Sequence, residues 1–231
     1  MSLPEWRVST DVDELVPVLA EALCIEAESA IAARGVFHLV LAGGSTPLAL
    51  YRALAARQAG DSRWHIWYGD ERCLPMDHAE RNSVMAEKAW LAASNIPSEN
   101  RRPIPAELGS NQAAVTYANW LANVSDFDVV LLGMGEDGHT ASLFPHHDWG
   151  EVPGSADVLA VHDAPKPPPE RVSLSAARLS RSVQVWFVIT GSSKRHALRN
   201  WATGESLPIA SVHGRQQTVA WLDALAWPAD D

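Results

Sequence analysis

Short apolar runs alternate with longer amphipathic segments along this chain of 231 residues. The apolar runs are rich in branched and aromatic side chains, which is typical of buried strands; they span residues 36–41, 64–68, 127–132 and 183–189. The longer segments carry apolar residues at helical spacing; they span residues 11–34, 47–57, 82–93 and 111–123, and one more helix follows Lys194. Strands that alternate with helices predict an α/β fold with a mainly parallel sheet.

Turn and cap residues set the boundaries of several elements. Thr10 or Asp11 is expected to cap the first helix, and Gly35 is expected to end it. Four prolines within residues 163–170 predict an extended loop, because proline fixes φ and lacks the N–H that a helix or a sheet uses. Residues 171–174 then begin a strand or a turn.

The end of the chain contains two further apolar runs. Residues 209–212 and 218–221 are predicted to be short strands. No repeat, charge run or linker divides the sequence, so residues 1–231 are interpreted as a single domain.

The excess of acidic residues disfavours some classes of binding partner. The chain has 28 acidic against 18 basic residues, and a net charge of −10 disfavours nucleic acid and anionic membrane surfaces. No apolar run approaches the length of a membrane span, about 18 residues, and the N-terminal segment is too polar for a signal peptide. Cys24 and Cys73 show neither a disulfide framework nor metal-ligand spacing. A cytoplasmic protein that binds neither nucleic acid nor membrane is expected.

The run GMGEDGHTASLFP, residues 133–145, carries the strongest sign of chemistry. It follows the predicted strand at 127–132, and α/β proteins bind their ligands at the carboxyl ends of strands. His139 stands beside Glu136 and Asp137, either of which could orient it. Since an imidazole near carboxylates is suited to general base catalysis at neutral pH, we predict a catalytic role for His139. The other eight histidines are interpreted as surface or core residues.

A second glycine-rich turn follows the predicted strand at 36–41. Gly43, Gly44, Ser45 and Thr46 precede Pro47, which is expected to be the first residue of a helix. The free N–H groups of a helix N-terminus bind anions, and the two hydroxyls add donors. An ordinary capped turn is equally consistent with these residues. The turn is neither a P-loop nor a dinucleotide loop, so ATP and NAD are not supported.

Charged residues follow other strands at the same predicted edge. Asp70, Glu71 and Arg72 come directly after the strand at 64–68, where a solvated loop is the simpler interpretation and a site the alternative. Asn82 either caps the next helix, which is the expected role, or reaches the site. Arg171 and Lys194 also stand at strand ends; they are either solvated bases or the cations that hold a phosphate dianion.

Five motifs occur in order: LAGGSTPLALYRAL, GDERCLPMDHAERNS, DVVLLGMGEDGHTASLFP, PERVSLSAARL and GSSKRHAL. Together they resemble the 6-phosphogluconolactonases, within the broader glucosamine-6-phosphate isomerase/deaminase group. The resemblance covers residues 36–200. It implies a Rossmann-like, three-layer α/β/α domain. It also implies hydrolysis of 6-phospho-D-glucono-1,5-lactone in the oxidative pentose phosphate pathway, without a metal or an organic cofactor.

The resemblance also implies roles for particular residues. His139 stands at the family's general base, with Asp137 beside it, and Asp70 and Arg72 stand in a second active-site loop. The residues that the resemblance implies for binding the substrate and its phosphate are Gly43, Gly44, Ser45, Thr46, Arg171 and Lys194. The expected partner is a small phosphorylated sugar lactone, and the expected assembly is a monomer or a small homo-oligomer.

One position separates the branches of this group. The related deaminases have a glutamate five residues after the motif histidine, and this chain has Phe144 there. This difference favours the lactonase. A sugar-phosphate isomerase or deaminase on the same scaffold and a non-catalytic sugar-phosphate-binding protein remain as alternatives.

Overall fold

The predicted alternation of strands and helices is present along most of the chain; within residues 64–72 and 127–174, strands follow one another with no α-helix between them. The computed structural model describes residues 3–152 and 154–227, so both ends of the predicted 1–231 domain and Pro153 lie outside it. In chain order the strands are β1 (Glu5–Ser9), β2 (Phe37–Leu41), β3 (Trp64–Tyr68), β4 (Asp70–Arg72), β5 (Phe127–Leu132), β6 (Val158–Val161), β7 (Arg171–Leu174), β8 (Ser182–Ile189) and β9 (Gln217–Asp223). The α-helices are α1 (Val12–Arg34), α2 (Ser45–Ala56), α3 (Asn82–Ala89), α4 (Ser110–Leu121), α5 (Ala176–Ser180) and α6 (Arg195–Ala202).

Six of the strands form a parallel sheet in the order β1-β9-β8-β5-β2-β3. Every residue of β5 is buried, as expected for a central strand of a parallel sheet that is covered on both faces. Helices flank this sheet, which confirms the expected three-layer α/β/α fold. Strands β4, β7 and β6 form a separate antiparallel sheet in that order.

The sheet order brings four loops together. Strands β8, β5, β2 and β3 are consecutive neighbours and run parallel, so their carboxyl ends open on the same edge. The glycine-rich turn at 43–46, the histidine loop at 133–139 and the segment 190–194 follow three of these strands. After β3, the chain crosses at Gly69 into β4 of the smaller sheet. This edge is the position at which α/β proteins bind ligands.

The ends of α1 follow the sequence prediction. The Asp11 side chain accepts the Glu14 N–H at 2.9 Å, which makes Asp11 the N-cap. Gly35 adopts the left-handed conformation at φ 78° and closes the helix on the Ile31 carbonyl oxygen. Between these caps, one face of the helix buries Leu15, Leu19 and other apolar residues of the main core.

Several predicted boundaries were wrong. Residues 209–212 do not form a strand; Pro208–Ser211 is a 3₁₀ turn, because Pro208 has no N–H to give to a ladder and Ile209 N–H bonds to Gly138. Helix α2 begins at Ser45, so Pro47 is its third residue rather than its first. The helix predicted for 82–93 ends at Ala89, and a separate 3₁₀ turn follows.

Besides β4, two short strands were not anticipated. β1 is a half-exposed edge strand, and β6 contains only four residues, so neither has a long apolar run. Within residues 3–152 and 154–227, no helix combines the length and the apolar character needed to traverse a lipid bilayer.

Candidate active site

The loop after β5 folds tightly around the predicted catalytic histidine. Gly135 N–H donates to the His139 carbonyl oxygen at 2.8 Å, and Gly138 N–H donates to the Gly135 carbonyl oxygen at 3.1 Å. A Cβ at Gly135 would lie 2.0 Å from His139 Nδ1, so the imidazole rests directly on the glycine backbone. Glycine is therefore required at position 135 for the ring to keep its position.

His139 is paired with Asp137, the acid two residues before it. Its Nδ1 lies 2.5 Å from Asp137 Oδ1, and the same oxygen accepts the His139 backbone N–H at 3.3 Å. Partial burial raises the pKa of Asp137, but the nearby imidazole and these hydrogen bonds outweigh it, so the net pKa lies below its usual value. Because Asp137 is then ionised at neutral pH, we assign the proton to Nδ1, which leaves the Nε2 lone pair available.

Asp70 is engaged elsewhere. Its Oδ2 accepts Ser142 Oγ–H at 2.6 Å, and its Oδ1 accepts Asn82 Nδ2–H at 3.0 Å. Asp70 and Ser142 are both buried. Asp137 therefore forms the pair with His139, and Asp70 does not. The Ser142 hydroxyl donates a hydrogen bond to the Asp70 carboxylate, so we do not assign Ser142 as a nucleophile.

Residues 70–72 form a strand rather than a solvated loop. Side chains alternate along β4, so Asp70 and Arg72 line the cleft while Glu71 points away from it. Glu71 is buried and accepts N–H groups from Asn82 and Ser83, at 2.8 and 2.9 Å. Burial raises the pKa of Glu71, and these hydrogen bonds oppose that rise. Glu71 therefore holds the start of α3 in place behind the cleft.

The expectation that Asn82 caps α3 was wrong. The N-cap is Arg81, whose side chain makes no capping bond, and the Glu71 carboxylate satisfies the first N–H groups instead. The Asn82 amide points into the cleft and donates to the Asp70 backbone oxygen as well as to the Asp70 carboxylate. Contact with the site was the less favoured alternative, because a polar residue at a helix start carries no sequence signal that distinguishes a cap from a site residue.

Arg171 is held by the proline-rich loop that was predicted to be extended. Its Nη2 donates to the Lys166 carbonyl oxygen at 2.9 Å, and its Nε donates to the Pro168 carbonyl oxygen at 3.1 Å. The guanidinium carbon lies 5.7 Å from the centre of the Phe144 ring, which is itself 4.8 Å from the His139 ring. Burial lowers the pKa of Arg171, and Asp70 opposes this shift. The loop thus fixes a cation close to the imidazole.

Helix α2 presents its N-terminus to the same edge of the sheet. Its N-cap is Gly44, at φ 108°, so no side chain caps the first N–H groups. Thr46 Oγ1 lies 2.6 Å from Thr190 Oγ1, which joins the helix start to the end of β8. Lys194 lies beside this helix start. Backbone donors, a positive helix end and an amine together are suited to an anion.

Two adjoining clefts contain nine of the ten residues predicted for the site. The first, about 210 Å³, is lined by His139 and by Gly43, Gly44, Asp70, Arg72 and Arg171. The second, about 150 Å³, shares the two glycines and adds Ser45, Thr46 and Lys194. The tenth, Asp137, touches His139 instead of lining either cleft. Arg171 is therefore on the histidine side and Lys194 on the side of the helix start.

Residues 10–221 match the family model described as glucosamine-6-phosphate isomerases/6-phosphogluconolactonase, and the chain belongs to that family. A 6-phosphogluconolactonase of Mycobacterium tuberculosis is 38% identical, and the match covers 94% of each chain. A 6-phosphogluconolactonase of Streptomyces coelicolor is 34% identical over 96% of this chain and 93% of its own. The crystal structure of 6-phosphogluconolactonase from Thermotoga maritima has a TM-score of 0.88, with 28% identity over 96% of this chain and all of that one.

Proposed function

We propose that this chain hydrolyses 6-phospho-D-glucono-1,5-lactone to 6-phosphogluconate. The observation that carries the proposal is the pairing of His139 with Asp137 in one cleft, next to a second cleft with a helix N-terminus and Lys194. A base for the lactone carbonyl and a site for the phosphate thus lie in two adjoining clefts that share lining residues. The lactonase names of relatives at 34–38% identity support the same activity.

The phosphate is assigned to the second cleft. The N–H groups and hydroxyls of Ser45 and Thr46, together with Lys194, supply donors and positive charge, and Arg171 supplies a further cation from the first cleft. The lactone carbonyl then reaches the His139 side.

His139 Nε2 takes a proton from water as the water oxygen bonds to the lactone carbonyl carbon. The negative charge that forms on the carbonyl oxygen needs a donor about 3 Å away. The N–H groups of Gly135 and Gly138 are already donated within their loop, which favours Arg72. When the bond between the carbonyl carbon and the ring oxygen breaks, His139 returns its proton to that oxygen. Asp137 keeps the imidazole oriented through both steps.

The isomerase or deaminase alternative is not favoured. Phe144 is buried and packs against the His139 ring, where the resemblance implies a glutamate in the deaminases. A phenyl ring supplies no second proton-transfer group. We propose a cytoplasmic site of action, with a small sugar lactone rather than nucleic acid as partner; the net charge of −10 supports the second point.

The test is a coupled assay with freshly generated lactone, corrected for spontaneous hydrolysis. His139→Asn should lower kcat by about 10²–10⁴-fold while the variant still binds 6-phosphogluconate in calorimetry. His213→Asn, at an exposed histidine outside both clefts, is the control and should match the unmodified protein. Turnover of His139→Asn at the normal rate would exclude the mechanism, and release of ammonia from glucosamine 6-phosphate would favour the deaminase.

A further inference from the structure

The Asn82 side chain lies directly against the glycine-rich turn after β2. A Cβ at Gly43 would be 2.0 Å from Asn82 Oδ1 and 2.7 Å from its Cγ. The amide oxygen therefore occupies space that any residue except glycine would fill. Asn82 and Gly43 both line the cleft that contains His139.

The orientation of this amide is fixed by its neighbours. Asn82 Nδ2 donates to the backbone oxygen and to Oδ1 of Asp70, both at 3.0 Å. Since these atoms only accept hydrogen bonds, a reversed amide would set oxygen against oxygen, and Nδ2 must face Asp70. Asp70 is held in turn by Ser142 Oγ–H. Asn82 Oδ1 consequently faces away from Asp70, and no donor among the described residues is hydrogen-bonded to it.

We propose that Asn82 Oδ1 accepts a hydrogen bond from a hydroxyl of the sugar ring, and that Asp70 acts as a positioning residue for this amide. The inference rests on the proposed function. The phosphate and the lactone oxygens of the substrate are acceptors, so its ring hydroxyls are its only donors. Asn82 lines the cleft of His139 and is not part of the cleft of Lys194, which agrees with a contact to the ring.

The decisive experiment combines a variant with substrates that lack one hydroxyl. Phosphorylated lactones without the C2, C3 or C4 hydroxyl are prepared by oxidation of the deoxy sugar phosphates. For one of them, kcat/KM of the unmodified protein should fall by about tenfold, the value of one hydrogen bond. On the parent lactone, kcat/KM of Asn82→Ala should fall by a similar factor. On that analogue, kcat/KM of Asn82→Ala should be no lower than on the parent lactone.

A second variant guards against a purely structural effect. In Asp70→Ala, the Asn82 amide loses its carboxylate partner and keeps only the Asp70 backbone oxygen, so its orientation is fixed at one point instead of two. This variant should lose part of the hydroxyl preference that Asn82→Ala loses. Asn119→Ala, at an exposed position of α4, should keep the preference and the normal rate.

If kcat/KM fell by the same factor on every deoxy lactone, in the unmodified protein and in Asn82→Ala alike, the proposal would be overturned. Asn82 would then be a structural residue or a ligand of the attacking water. Failure of the proposed function looks different, because the unmodified protein would then not hydrolyse the parent lactone.

Discussion

Replacing Gly135 with alanine puts one methyl group where the His139 ring now lies. The new Cβ would be 2.0 Å from His139 Nδ1 and 2.6 Å from Asp137 Oδ1, whereas ordinary contact begins at 3.4 Å. The ring must therefore move by about 1.4 Å and the Asp137 carboxylate must move as well, so the present geometry of the pair cannot be kept. The φ angle of Gly135 lies outside the left-handed region, so the alanine backbone is unstrained.

A displacement of this size predicts a large kinetic effect and a small structural one. Misplacement of a catalytic group by about 1 Å costs about 10²-fold, so kcat should fall by about that factor. The KM for the phosphorylated lactone should change less, because the phosphate donors belong to α2 and Lys194. The free energy of unfolding should fall by no more than about 1–3 kcal/mol, the usual cost of overpacking.

The measurement is steady-state hydrolysis of fresh lactone, together with urea unfolding. Gly69→Ala is the matched control, because its Cβ would meet Leu41 O at 3.6 Å, an ordinary contact, and Gly69 lines neither cleft. A normal kcat for Gly135→Ala would refute the reasoning, since it would mean that the position of the His139 ring does not limit the reaction.

Three further predictions follow from the same contacts. Lys194→Ala should raise KM for the phosphorylated lactone about tenfold or more and leave hydrolysis of unphosphorylated gluconolactone unchanged, as steady-state rates on both substrates would show. Asp137→Asn loses the charge and can donate an amide N–H to His139 Nδ1, which moves the ring proton to Nε2, so its kcat should fall by up to about 10⁴-fold, and kcat of Asp137→Ala should fall as well. Burial lowers the pKa of His38 to about 4, and its Nδ1 accepts a hydrogen bond from Trp67. As pH falls from about 6.5 to 4, the His38 imidazole is protonated in the unfolded chain but not yet in the folded one. The free energy of unfolding therefore decreases over this pH range. In urea titrations His38→Phe should remove up to about 3 kcal/mol of that loss, while His213→Phe should remove none.

The sequence was sufficient to predict the layers of the fold and the edge of the sheet at which the candidate site residues cluster. Strands such as β5 are continuous apolar runs because both faces of a parallel strand are buried, and α1 has a clear cap at each end. Once the strands are parallel, the loops after β2, β5 and β8 must open on one edge. The predicted site residues in those loops consequently lie in, or against, two adjoining clefts.

The sequence could not predict which polar groups contact each other across the chain. Asp70 is bound by Ser142, 72 residues away, and by Asn82 from the start of the next helix. These contacts depend on the small antiparallel sheet, whose strands have three to four residues and little periodic signal. The turn at Pro208–Ser211 was mistaken for a strand for the same reason, since its packing under Gly138 is a tertiary effect.

The acids around the histidine differ in exposure, and this difference separates their effects. Asp137 is partly exposed on the glycine-rich loop and is hydrogen-bonded to the His139 ring, so its loss should act on the chemical step. Asp70 is buried, both carboxylate oxygens are occupied, and its partner Asn82 faces the cleft, so its loss should act through the position of the substrate. Glu71 supports the start of α3 from behind and should act mainly on stability. Three neighbouring carboxylates therefore predict three separable phenotypes, in kcat, in discrimination between substrates and in the free energy of unfolding.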